Sequence, residues 1–389
     1  MRAFLYRVSN SRFYLYISGL IANYKECFIG LWHYLFLQWY NPKKDASTAL
    51  LVEINPFHGE TLPGYTDYLQ RLGFQVTVIM RHAVWKASPF CRMNTPPRQF
   101  CLTIWGMRHY LASKHIKKFD FVFYNSSKLS LKEYRFYGII TDFLKIGSLP
   151  MGQYGNAIVE HNLKEKDNTI CKNTFVLTPW IHQGKLMPMC NPHTFGTIQT
   201  LPHRLSEKRV FITVGKVISS QRDFKSMVKA FQSLSGGNDY ELKVVGIPAD
   251  PTLLSQFPEN RLIILGRLSF PELYNQLEQA DFFLPLLDPL SQPQYLNGCT
   301  SGSRQLILGF RIPPIIHEAF AEHYDFTKDS CLTYSSDDDF ITALKRALTM
   351  TDDEHTAKRQ ELARLAEEVY QESLCNLAKR VRLSDIQKA

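Results

Sequence analysis

The segment LPLLDPLSQPQYLNGCTSGSRQLILGFRIPPII, residues 284–316, decides the architecture expected for this chain. It predicts, in chain order, a buried strand, a polar loop, a short helix and a second apolar strand. The helix begins at Thr300, Ser301, Gly302 and Ser303. Such a helix start leaves backbone N–H groups unpaired at the positive end of the helix dipole, where phosphate binds best. The first hypothesis is therefore a diphosphate ligand. The alternative is that Thr300 and Ser301 only cap the helix.

Strands and helices alternate around this segment. ADFFLPLLDP, residues 280–289, is a continuous apolar run, typical of a parallel strand that is covered on both faces. RVFITVGKV (209–217), YELKVVG (240–246) and RLIILG (261–266) read as strands that end near glycines, and amphipathic runs lie between them. The pattern predicts a doubly wound α/β domain, whose ligands lie at the carboxyl ends of the strands.

Taken in order, these motifs resemble a known family. VGKV, an arginine near a helix start, VVG, ILGRL, DFFLPLLDP, SGSRQLILGF and IPPII resemble the C-terminal, donor-binding half of GT-B glycosyltransferases. The chain looks most similar to bacterial family-4-like enzymes of surface-polysaccharide and lipopolysaccharide biosynthesis, over residues 191–347 and more loosely before them. The resemblance implies an α/β fold of two Rossmann-like domains that face each other across a cleft, with an aromatic-rich helical extension at the N-terminus.

The resemblance assigns the donor diphosphate to three residues of the C-terminal half. Gly215 and Lys216 correspond to the place where the first strand of that half meets the diphosphate, and Arg222 corresponds to a second basic position. Two cations suit this task because negative charge builds up on the leaving nucleotide as the sugar departs. The alternative is that Lys216 and Arg222 are solvated charges on a surface loop.

Other positions correspond to contacts with the rest of the donor. Gly266 and Arg267 match the turn beside the nucleobase, and residues 301–303 match the phosphate-facing helix start. Gln305 stands where the family commonly has a ribose-binding glutamate, and Asn297, eight positions earlier, replaces a second glutamate. An amide can hydrogen-bond a hydroxyl but carries no negative charge to stabilise an oxocarbenium-like centre. These replacements leave open whether transfer retains or inverts the anomeric configuration, and whether the chain is active.

The N-terminal half supplies candidates for acid–base chemistry. STALLVEINPF (47–57), a helical run up to Gly73 and FQVTVIM (74–80) read as strand, helix and strand. The connecting loop lacks GxGxxG, which argues against a nicotinamide-dependent oxidoreductase. His58 and Glu60 follow the first strand at its carboxyl end, and the side chain of either could deprotonate an acceptor hydroxyl. In the alternative, Glu60 only stabilises a helix N-terminus.

Three further segments carry expectations. GNAIVEHNLKE (155–165) runs from a strand into polar residues, and the resemblance places His161 near the donor sugar, although a single histidine is often structural. Residues 83–108 contain three prolines and are expected to form a loop-rich, acceptor-binding segment. SSDDD (335–339) resembles a DxD metal motif in spelling but precedes FITALKRAL, so we interpret it as a helix N-cap and expect no metal site.

Composition limits the classes of partner. Of the 389 residues, 45% are hydrophobic and 21% charged, values of a globular chain long enough for two domains. The formal net charge of +9 indicates an anionic partner, such as a nucleotide sugar, an acidic glycan or an acidic lipid, and no motif favours nucleic acid. The eight cysteines form no CxxC pair and no Cys/His cluster, which favours reduced thiols in a cytoplasm and argues against structural zinc.

The first 45 residues differ from the rest. Two aromatic-rich apolar runs, FYLYISGLIANY (13–24) and CFIGLWHYLFLQWY (27–40), lie on either side of a Lys-Glu pair. Each run is shorter than the roughly twenty residues that a membrane-spanning helix needs. Trp32 and Trp39, in a segment with several basic residues, are typical of a helix in the headgroup region of an anionic leaflet. The alternative is a pair of core helices packed on the N-terminal lobe.

The sequence as a whole predicts four parts and one activity. Residues 1–45 form a membrane-associating or packing extension, 46–190 an acceptor-binding domain, 191–350 a nucleotide-sugar-binding domain, and 351–389 a helix that crosses back to the N-terminal lobe. The expected activity is metal-independent, cofactor-free transfer of a hexosyl group from a nucleotide-diphosphate sugar to a glycan or glycolipid acceptor. It would occur in the cytoplasm or on the inner face of the cytoplasmic membrane. The alternatives are a catalytically silent, membrane-docked assembly partner and a nucleotide-sugar epimerase of the same fold.

Overall fold

The computed structural model describes residues 12–42, 45–126, 155–161, 173–198, 205, 207–215, 222–234, 239–246, 257 and 261–386. The helices in these ranges are α1 Arg12–Trp39, α2 Leu62–Arg71, α3 His82–Lys86, α4 Ile104–Ala112, α5 Phe224–Gln232, α6 Phe270–Glu278, α7 Ser303–Phe310, α8 Glu318–His323, α9 Asp337–Thr349 and α10 Asp352–Ile386. The strands are β1 Thr48–Val52, β2 Gln75–Met80, β3 Arg98–Cys101, β4 Phe121–Tyr124, β5 Gly155–Glu160, β6 Thr174–Val176, β7 Ile181–His182, β8 Lys185–Leu186, β9 Arg209–Val214, β10 Tyr240–Val245, β11 Leu262–Gly266, β12 Phe282–Phe283, β13 Ile315–His317 and β14 Leu332–Tyr334. Short 3₁₀ helices cover Gly59–Thr61, Lys114–Lys118 and Pro293–Tyr295.

The N-terminal lobe is built on a sheet of parallel strands in the order β3-β2-β1-β4-β5-β6. Its strand β1 pairs with β2 on one side and with β4 on the other, and every residue of β1 is buried. A strand buried on both faces needs a continuous apolar run, and TALLV provides it. The strand order reverses between β1 and β4, so the loops after these strands flank one crevice.

The C-terminal lobe repeats this arrangement. Its parallel strands have the order β11-β10-β9-β12, and a parallel bridge between Phe283 and Pro314 places the parallel β13-β14 pair beside β12. Numbered within each lobe, both sheets follow the strand order of a doubly wound nucleotide-binding fold. The prediction of an α/β fold with two Rossmann-like domains is confirmed.

One strand is much shorter than its sequence indicates. The apolar run at 280–289 predicts a long strand, but β12 covers only Phe282–Phe283. Pro285 has no N–H to donate to a neighbouring strand, and Leu286 has a left-handed backbone with φ of 51°. The carbonyl of Leu286 instead accepts a hydrogen bond of 2.7 Å from the N–H of Asp223, the N-cap of α5. The chain therefore turns early and holds a helix start at the carboxyl edge of the sheet.

α1 is a single helix of 28 residues, so the alternative of two packed helices is wrong. Gly30 lets the helix approach the N-terminal lobe closely, because a Cβ there would come within 2.7 Å of Thr103. On this side Leu37 is buried, and Nδ1 of His33 accepts a hydrogen bond of 2.7 Å from the N–H of Cys101. One face of α1 thus packs along the edge strand β3. Among the described helices, none is long and apolar enough to cross a bilayer.

Residues 83–108 are about half loop, so the expectation of a loop-rich segment is confirmed for residues 87–97 and wrong for most of the remaining range. They include most of α3, the strand β3 and the start of α4. Pro97 directly precedes β3, which lies at the edge of the sheet, and a missing N–H is tolerated there. The Thr103 hydroxyl oxygen accepts a hydrogen bond of 3.1 Å from the Gly106 N–H and caps α4.

The long helix α10 joins the two lobes. Leu362 and Leu365 belong to the core of the C-terminal lobe, whereas Leu377 is buried in the core of the N-terminal lobe. Between these points the Tyr370 hydroxyl donates a hydrogen bond of 2.7 Å to the carboxylate of Asp67 on α2. The helix therefore holds one lobe against the other.

A second set of contacts joins α6 to the N-terminal lobe. Nη2 of Arg92 lies 2.9 Å from Oε2 of Glu278. The N–H of Phe270 donates a hydrogen bond of 3.1 Å to the carbonyl of Ala87, which follows α3. Because both ends of α6 contact the N-terminal lobe, the two lobes form the walls of one cleft.

Candidate active site

A cavity of about 680 Å³ lies between the two lobes. Its N-terminal wall contains His58, Gly59 and Glu60, and its C-terminal wall contains Arg267 and Ser269. The first three residues follow β1 and the last two follow β11, so the carboxyl ends of both sheets face this space. The structure thus brings His58, Glu60 and Arg267 into one cleft.

His58 has a left-handed backbone, with φ of 67°, that few residues other than glycine adopt. Its carbonyl oxygen accepts hydrogen bonds from the Thr61 hydroxyl at 2.6 Å and from the Asn125 side-chain amide at 3.1 Å. These bonds offset the strain and hold the histidine at the carboxyl end of β1. The cleft is narrow here, since a Cβ on Gly59 would come within 3.0 Å of the Phe270 ring from the other lobe.

His58 and His161 stack on each other, with ring centroids 4.2 Å apart and an angle of 28° between the ring planes. Nδ1 of His58 lies 3.5 Å from Oε1 of Glu60. A carboxylate only accepts hydrogen bonds, so Nδ1 carries a hydrogen and Nε2 is the atom that can take a proton. Nε2 of His161 lies 2.7 Å from the Asn125 carbonyl oxygen, which fixes the second ring.

The two histidines differ in charge. Burial lowers the pKa of His58, but the carboxylates of Glu60 and Glu53 raise it by more than burial lowers it. The pKa of His58 therefore lies above its ordinary value. Burial, together with the nearby His58, holds the pKa of His161 well below its ordinary value. His161 is therefore neutral near pH 7, and a positive charge on the pair resides on His58.

Glu53 is a member of this site that the sequence analysis missed. Its side chain is completely buried after β1, and Oε1 accepts a hydrogen bond of 2.6 Å from the Asn55 N–H. Oε2 accepts from the Ser126 hydroxyl at 3.2 Å and from the Asn125 amide. Burial raises the pKa of Glu53 to about 7, although His58 and the three donors oppose this effect. A glutamate directly after the apolar run TALLV was the signal that could have identified it.

Glu53→Gln is expected to change how stability depends on pH. In the folded chain the Glu53 carboxyl has a pKa of about 7, against an ordinary value of 4.5 when exposed. Between pH 4.5 and about 7 the folded state binds more protons than the unfolded state. The free energy of unfolding of the parent therefore falls by about 3 kcal/mol as pH rises through this window. Glutamine cannot ionise, and the variant should lose most of this slope.

Urea unfolding at a series of pH values measures the slope of stability against pH. Glu361→Gln is a suitable control, because Glu361 lies on the surface of α10, where Arg364 and solvent keep its carboxylate charged. The control should retain the slope of the parent. If Glu53→Gln retained it as well, the buried carboxyl would not be protonated in the folded chain.

Arg222 follows the carboxyl end of β9, where the sequence analysis placed a diphosphate-binding cation. Its side chain is almost fully buried, and Nη2 donates a hydrogen bond of 3.3 Å to the Val214 carbonyl. The guanidinium also lies within hydrogen-bonding reach of the Tyr295 hydroxyl, and Tyr324 lies beside it. Burial lowers the pKa of Arg222, but an arginine stays charged at neutral pH. The alternative of a solvated surface charge is therefore wrong for Arg222.

Glycines end three neighbouring strands of the C-terminal sheet. Gly215 follows β9, Gly246 follows β10 and Gly266 ends β11, with φ of 136°, 146° and 65°. Their backbones approach so closely that a Cβ on Gly246 would lie 1.8 Å from the Gly215 carbonyl oxygen. A Cβ on Gly215 would come within 3.1 Å of Nη2 of Arg222, so the buried guanidinium lies directly against this glycine edge of the sheet. Lys216 lies outside the described residues.

α7 begins where the sequence predicts, with Gly302 as the N-cap and Ser303 as the first residue. Just before it, the N–H of Thr300 donates a hydrogen bond of 3.1 Å to the carbonyl of His161 in the other lobe. The Ser301 hydroxyl donates to the Ser303 hydroxyl at 3.1 Å. The helix start and the histidine pair are therefore neighbours across the cleft.

Tyr324 connects Arg222 to this helix start, because it lies beside both Arg222 and Ser301. It is held by Arg304, a fully buried residue to which the sequence analysis gave no role. Nε of Arg304 donates a hydrogen bond of 3.4 Å to the Tyr324 carbonyl, and Nη2 pairs with the Asp325 carboxylate at 3.4 Å. Two of the residues predicted to bind the diphosphate thus share one neighbourhood.

The two amides that replace family glutamates are turned towards backbone groups. Gln305 is buried, and its amide nitrogen donates to the carbonyls of Ser301 at 3.1 Å and Gly302 at 3.2 Å. Asn297 is exposed, and its amide donates to the Pro293 carbonyl at 3.0 Å. Gln305 thereby stabilises the first turn of α7, and a contact with ribose would require it to leave these bonds.

Within the described ranges, no group of three or more His, Cys, Asp or Glu side chains could hold a metal ion. In the segment SSDDD, the Ser336 hydroxyl oxygen accepts a hydrogen bond of 3.2 Å from the Asp339 N–H at the start of α9. The prediction that this segment is a helix cap is confirmed.

Comparison with known proteins bears on the fold. No protein-family model matches the sequence, and no curated protein matches it. A glycosyltransferase from Rickettsia africae has a similar structure, with a TM-score of 0.54 and 10% identity over 87% of this chain and 98% of that one. A glycosyltransferase involved in avilamycin A biosynthesis has a TM-score of 0.50 and 12% identity over 85% of this chain and 98% of that one. The chain has the two-lobed GT-B fold, and at these identities the likeness concerns the fold alone.

Proposed function

We propose that the protein is a glycosyltransferase that moves a sugar from a nucleotide-diphosphate sugar to a hydroxyl of a surface-glycan acceptor. The observation that carries this proposal is a contact across the cleft. Thr300, at the start of α7, donates its N–H to the carbonyl of His161, whose ring stacks on His58. A diphosphate at the helix start would hold its sugar beside an acid–base residue of the other lobe. Residues 191–350 would bind the donor and residues 46–190 the acceptor.

On the donor side, the diphosphate would lie against the glycine-rich carboxyl edge of the sheet and the start of α7. The buried guanidinium of Arg222 would oppose its charge, with Lys216 as the second cation. Both interactions would strengthen as the bond between sugar and diphosphate breaks, because the leaving nucleotide gains charge. Arg267, exposed in the cavity that also contains His58, would contact the nucleoside.

On the acceptor side, His58 is the general base. Its Nε2 takes the proton of the acceptor hydroxyl while that oxygen bonds to the anomeric carbon and the bond from this carbon to the diphosphate breaks. Glu60, 3.5 Å from Nδ1, keeps Nε2 as the proton acceptor and stabilises the imidazolium that forms. Attack opposite the leaving group inverts the anomeric configuration. An NMR comparison of product and donor tests this, and retention would favour a mechanism in which Asn297 and Gln305 hold the sugar.

Donor binding gives the first test. A thermal-shift screen over UDP-, GDP-, CMP- and ADP-sugars should find one nucleotide that raises the melting temperature, because a ligand of the folded chain stabilises it. Transfer of label from that sugar to a lipid-linked glycan completes the test. A new free nucleotide sugar formed without any acceptor would favour the epimerase instead.

A catalytically silent assembly partner is the second candidate. It is favoured by the replacement of both family glutamates and by the inward orientation of Gln305. A chain of this kind would neither transfer sugar nor be stabilised by any nucleotide sugar in the screen.

Activity is expected to be retained in EDTA. The two cations and the helix start would neutralise the leaving diphosphate without a divalent ion. Initial transfer rates with excess EDTA should equal those without it. Loss of activity in EDTA that manganese or magnesium restores would show that a metal ion carries this role.

The proposed location is the inner face of the cytoplasmic membrane, with the chain bound to it peripherally. The support is the net charge of +9 and the outward face of α1, which is apolar and exposed.

A further inference from the structure

One face of α1 is exposed and apolar. Six side chains at helical spacing make up this aromatic face, with these exposed fractions: Phe28 71%, Leu31 57%, Trp32 55%, Leu35 44%, Phe36 49% and Trp39 84%. The opposite face packs on the N-terminal lobe through Gly30, Tyr34 and Leu37. A surface helix normally presents polar residues to water, so a helix that is apolar on both sides has a second apolar partner.

The surroundings of the aromatic face fit the surface of an anionic bilayer. α4, which packs against α1, adds the exposed Trp105, and the Arg108 guanidinium lies 5.8 Å from a Trp105 ring centre. Lys118 donates to two carbonyls at the C-terminal end of α1, at 2.8 and 3.2 Å, and so fixes the basic 3₁₀ helix Lys114–Lys118 there. Tryptophans beside lysine and arginine are typical of helices in the headgroup region. The net charge of +9 complements acidic lipid.

α1 also forms part of the wall of the interlobe cavity. Glu26 lines this cavity together with His58 and Arg267, and its Oε1 lies 3.1 Å from Nδ1 of His82. Phe28, the first residue of the aromatic face, stands two residues after Glu26, which is about 3 Å further along the helix and about 200° around it. The aromatic face and the cavity therefore lie on opposite sides of the same turn of α1, separated by one helix diameter of about 10 Å.

We infer that the acceptor is a glycolipid whose sugar reaches from the membrane past α1 into the cavity, an inference that rests on the proposed function. With the aromatic face in the headgroup region, the cavity lies behind α1 and beside Glu26, about 10 Å from the membrane surface. The sugar of a lipid-anchored acceptor enters beside Glu26 and presents its hydroxyl to His58. Its hydrocarbon chain stays in the bilayer. A soluble glycan would need neither the aromatic face nor this position of the cavity.

The combined variant Trp32→Ser, Phe36→Ser and Trp39→Ser tests the inference. All three side chains are exposed, so the fold should persist, and an unchanged donor-induced thermal shift verifies this. The matched control is Ile181→Ser with Leu186→Ser, which removes two apolar side chains exposed by 66% and 70% on the β7-β8 hairpin. Vesicles of phosphatidylcholine, with or without phosphatidylglycerol, probe membrane binding. Dodecyl β-glycosides in the vesicles and methyl β-glycosides in solution serve as paired acceptors.

The parent and the hairpin control should sediment with vesicles that contain phosphatidylglycerol, and the triple variant should bind them at least about tenfold more weakly. Its transfer to dodecyl glycosides should fall by a similar factor, while transfer to methyl glycosides stays unchanged. Undiminished vesicle binding by the triple variant would overturn the inference. A second result would also overturn it: the parent is dimeric by light scattering and does not bind vesicles, whereas the triple variant is monomeric. The aromatic face would then join two copies of the chain.

Failure of the proposed function would look different. In that case no nucleotide sugar would stabilise the parent, and neither acceptor would be glycosylated. Both proposals would then be wrong, whether or not the parent binds vesicles. A parent that binds its donor and glycosylates methyl and dodecyl acceptors equally well, with or without vesicles, would overturn the glycolipid inference alone.

Discussion

Replacing His58 by asparagine is expected to lower kcat/KM for sugar transfer about 10²- to 10⁴-fold, the range for loss of a general base. Asparagine has no side-chain group that titrates near neutral pH, yet it tolerates the left-handed backbone, with φ of 67°, found at this position. Donor binding should persist because Arg222 and the start of α7 are unchanged. Assays with labelled donor give kcat/KM, and the thermal shift with the same nucleotide sugar reports donor binding.

The pH dependence of transfer gives an independent check on His58. Burial lowers its pKa, but the carboxylates of Glu60 and Glu53 bring this pKa above the ordinary value of 6.5. The base works unprotonated, so kcat/KM should rise with pH through a value above 6.5 and then level off. Glu60→Gln removes one carboxylate, and the acidic limb should move to lower pH. A limb that persists in His58→Asn would belong to another group, such as Glu53.

His82→Asn is the matched control for His58→Asn. His82 lines the same cavity, but its Nδ1 pairs with Glu26 of α1 at 3.1 Å. The control should leave kcat/KM for a water-soluble acceptor close to that of the parent. Equal losses in the two variants would mean that any histidine change disturbs the cleft, and the evidence for a base at position 58 would be lost.

The sequence predicted the parts of the fold that depend on local pattern. The apolar runs TALLV and VFITV form strands, and Gly215 and Gly246 directly follow strands, as the sequence predicts. The helix start at Gly302 was also predictable, because hydroxyl-bearing residues and a glycine precede an apolar helical run. Each of these features is decided by residues a few positions apart, so one sequence is enough to predict them.

The features that sequence reasoning missed depend on distant segments. Glu53 resembles an ordinary strand end, and its burial depends on Asn125 and Ser126, which lie 72 and 73 residues further along the chain. Spacing alone made Gln305 a candidate ribose ligand, whereas the geometry of α7 turns its amide back onto the helix start. The stacking of His58 on His161 joins residues from two separate loops, and no local pattern indicates it.

α1 shows a different kind of limit. The Lys-Glu pair between its apolar runs suggested an interruption, but two charged residues do not end a helix unless a cap, glycine or proline accompanies them. The outcome matters for function, because a continuous helix carries Glu26 to the cavity wall and presents the aromatic face on its opposite side.

Replacing Arg222 by methionine is expected to weaken donor binding about 100-fold, because loss of a buried, hydrogen-bonded charge that meets a ligand anion costs about 2–5 kcal/mol. The unliganded protein should be as stable as the parent or more stable. Methionine has a similar length, and it removes the desolvation cost of a guanidinium that is almost fully buried. Isothermal titration with the nucleotide sugar that stabilises the parent gives the affinity, and thermal unfolding without ligand gives the stability.

Arg261→Met separates this local effect from a general loss of positive charge. Arg261 belongs to the same lobe but precedes β11, at the amino end of the sheet, where its guanidinium lies 4.5 Å from the Tyr240 ring centre. The substitution Arg261→Met removes the same charge as Arg222→Met, but far from the carboxyl edge of the sheet. Donor affinity should therefore remain at the parent value. Equal weakening by Arg261→Met and Arg222→Met would indicate long-range attraction alone. Parent-like affinity in Arg222→Met would place the diphosphate away from the end of β9, and the donor site would have to be sought elsewhere in the cleft.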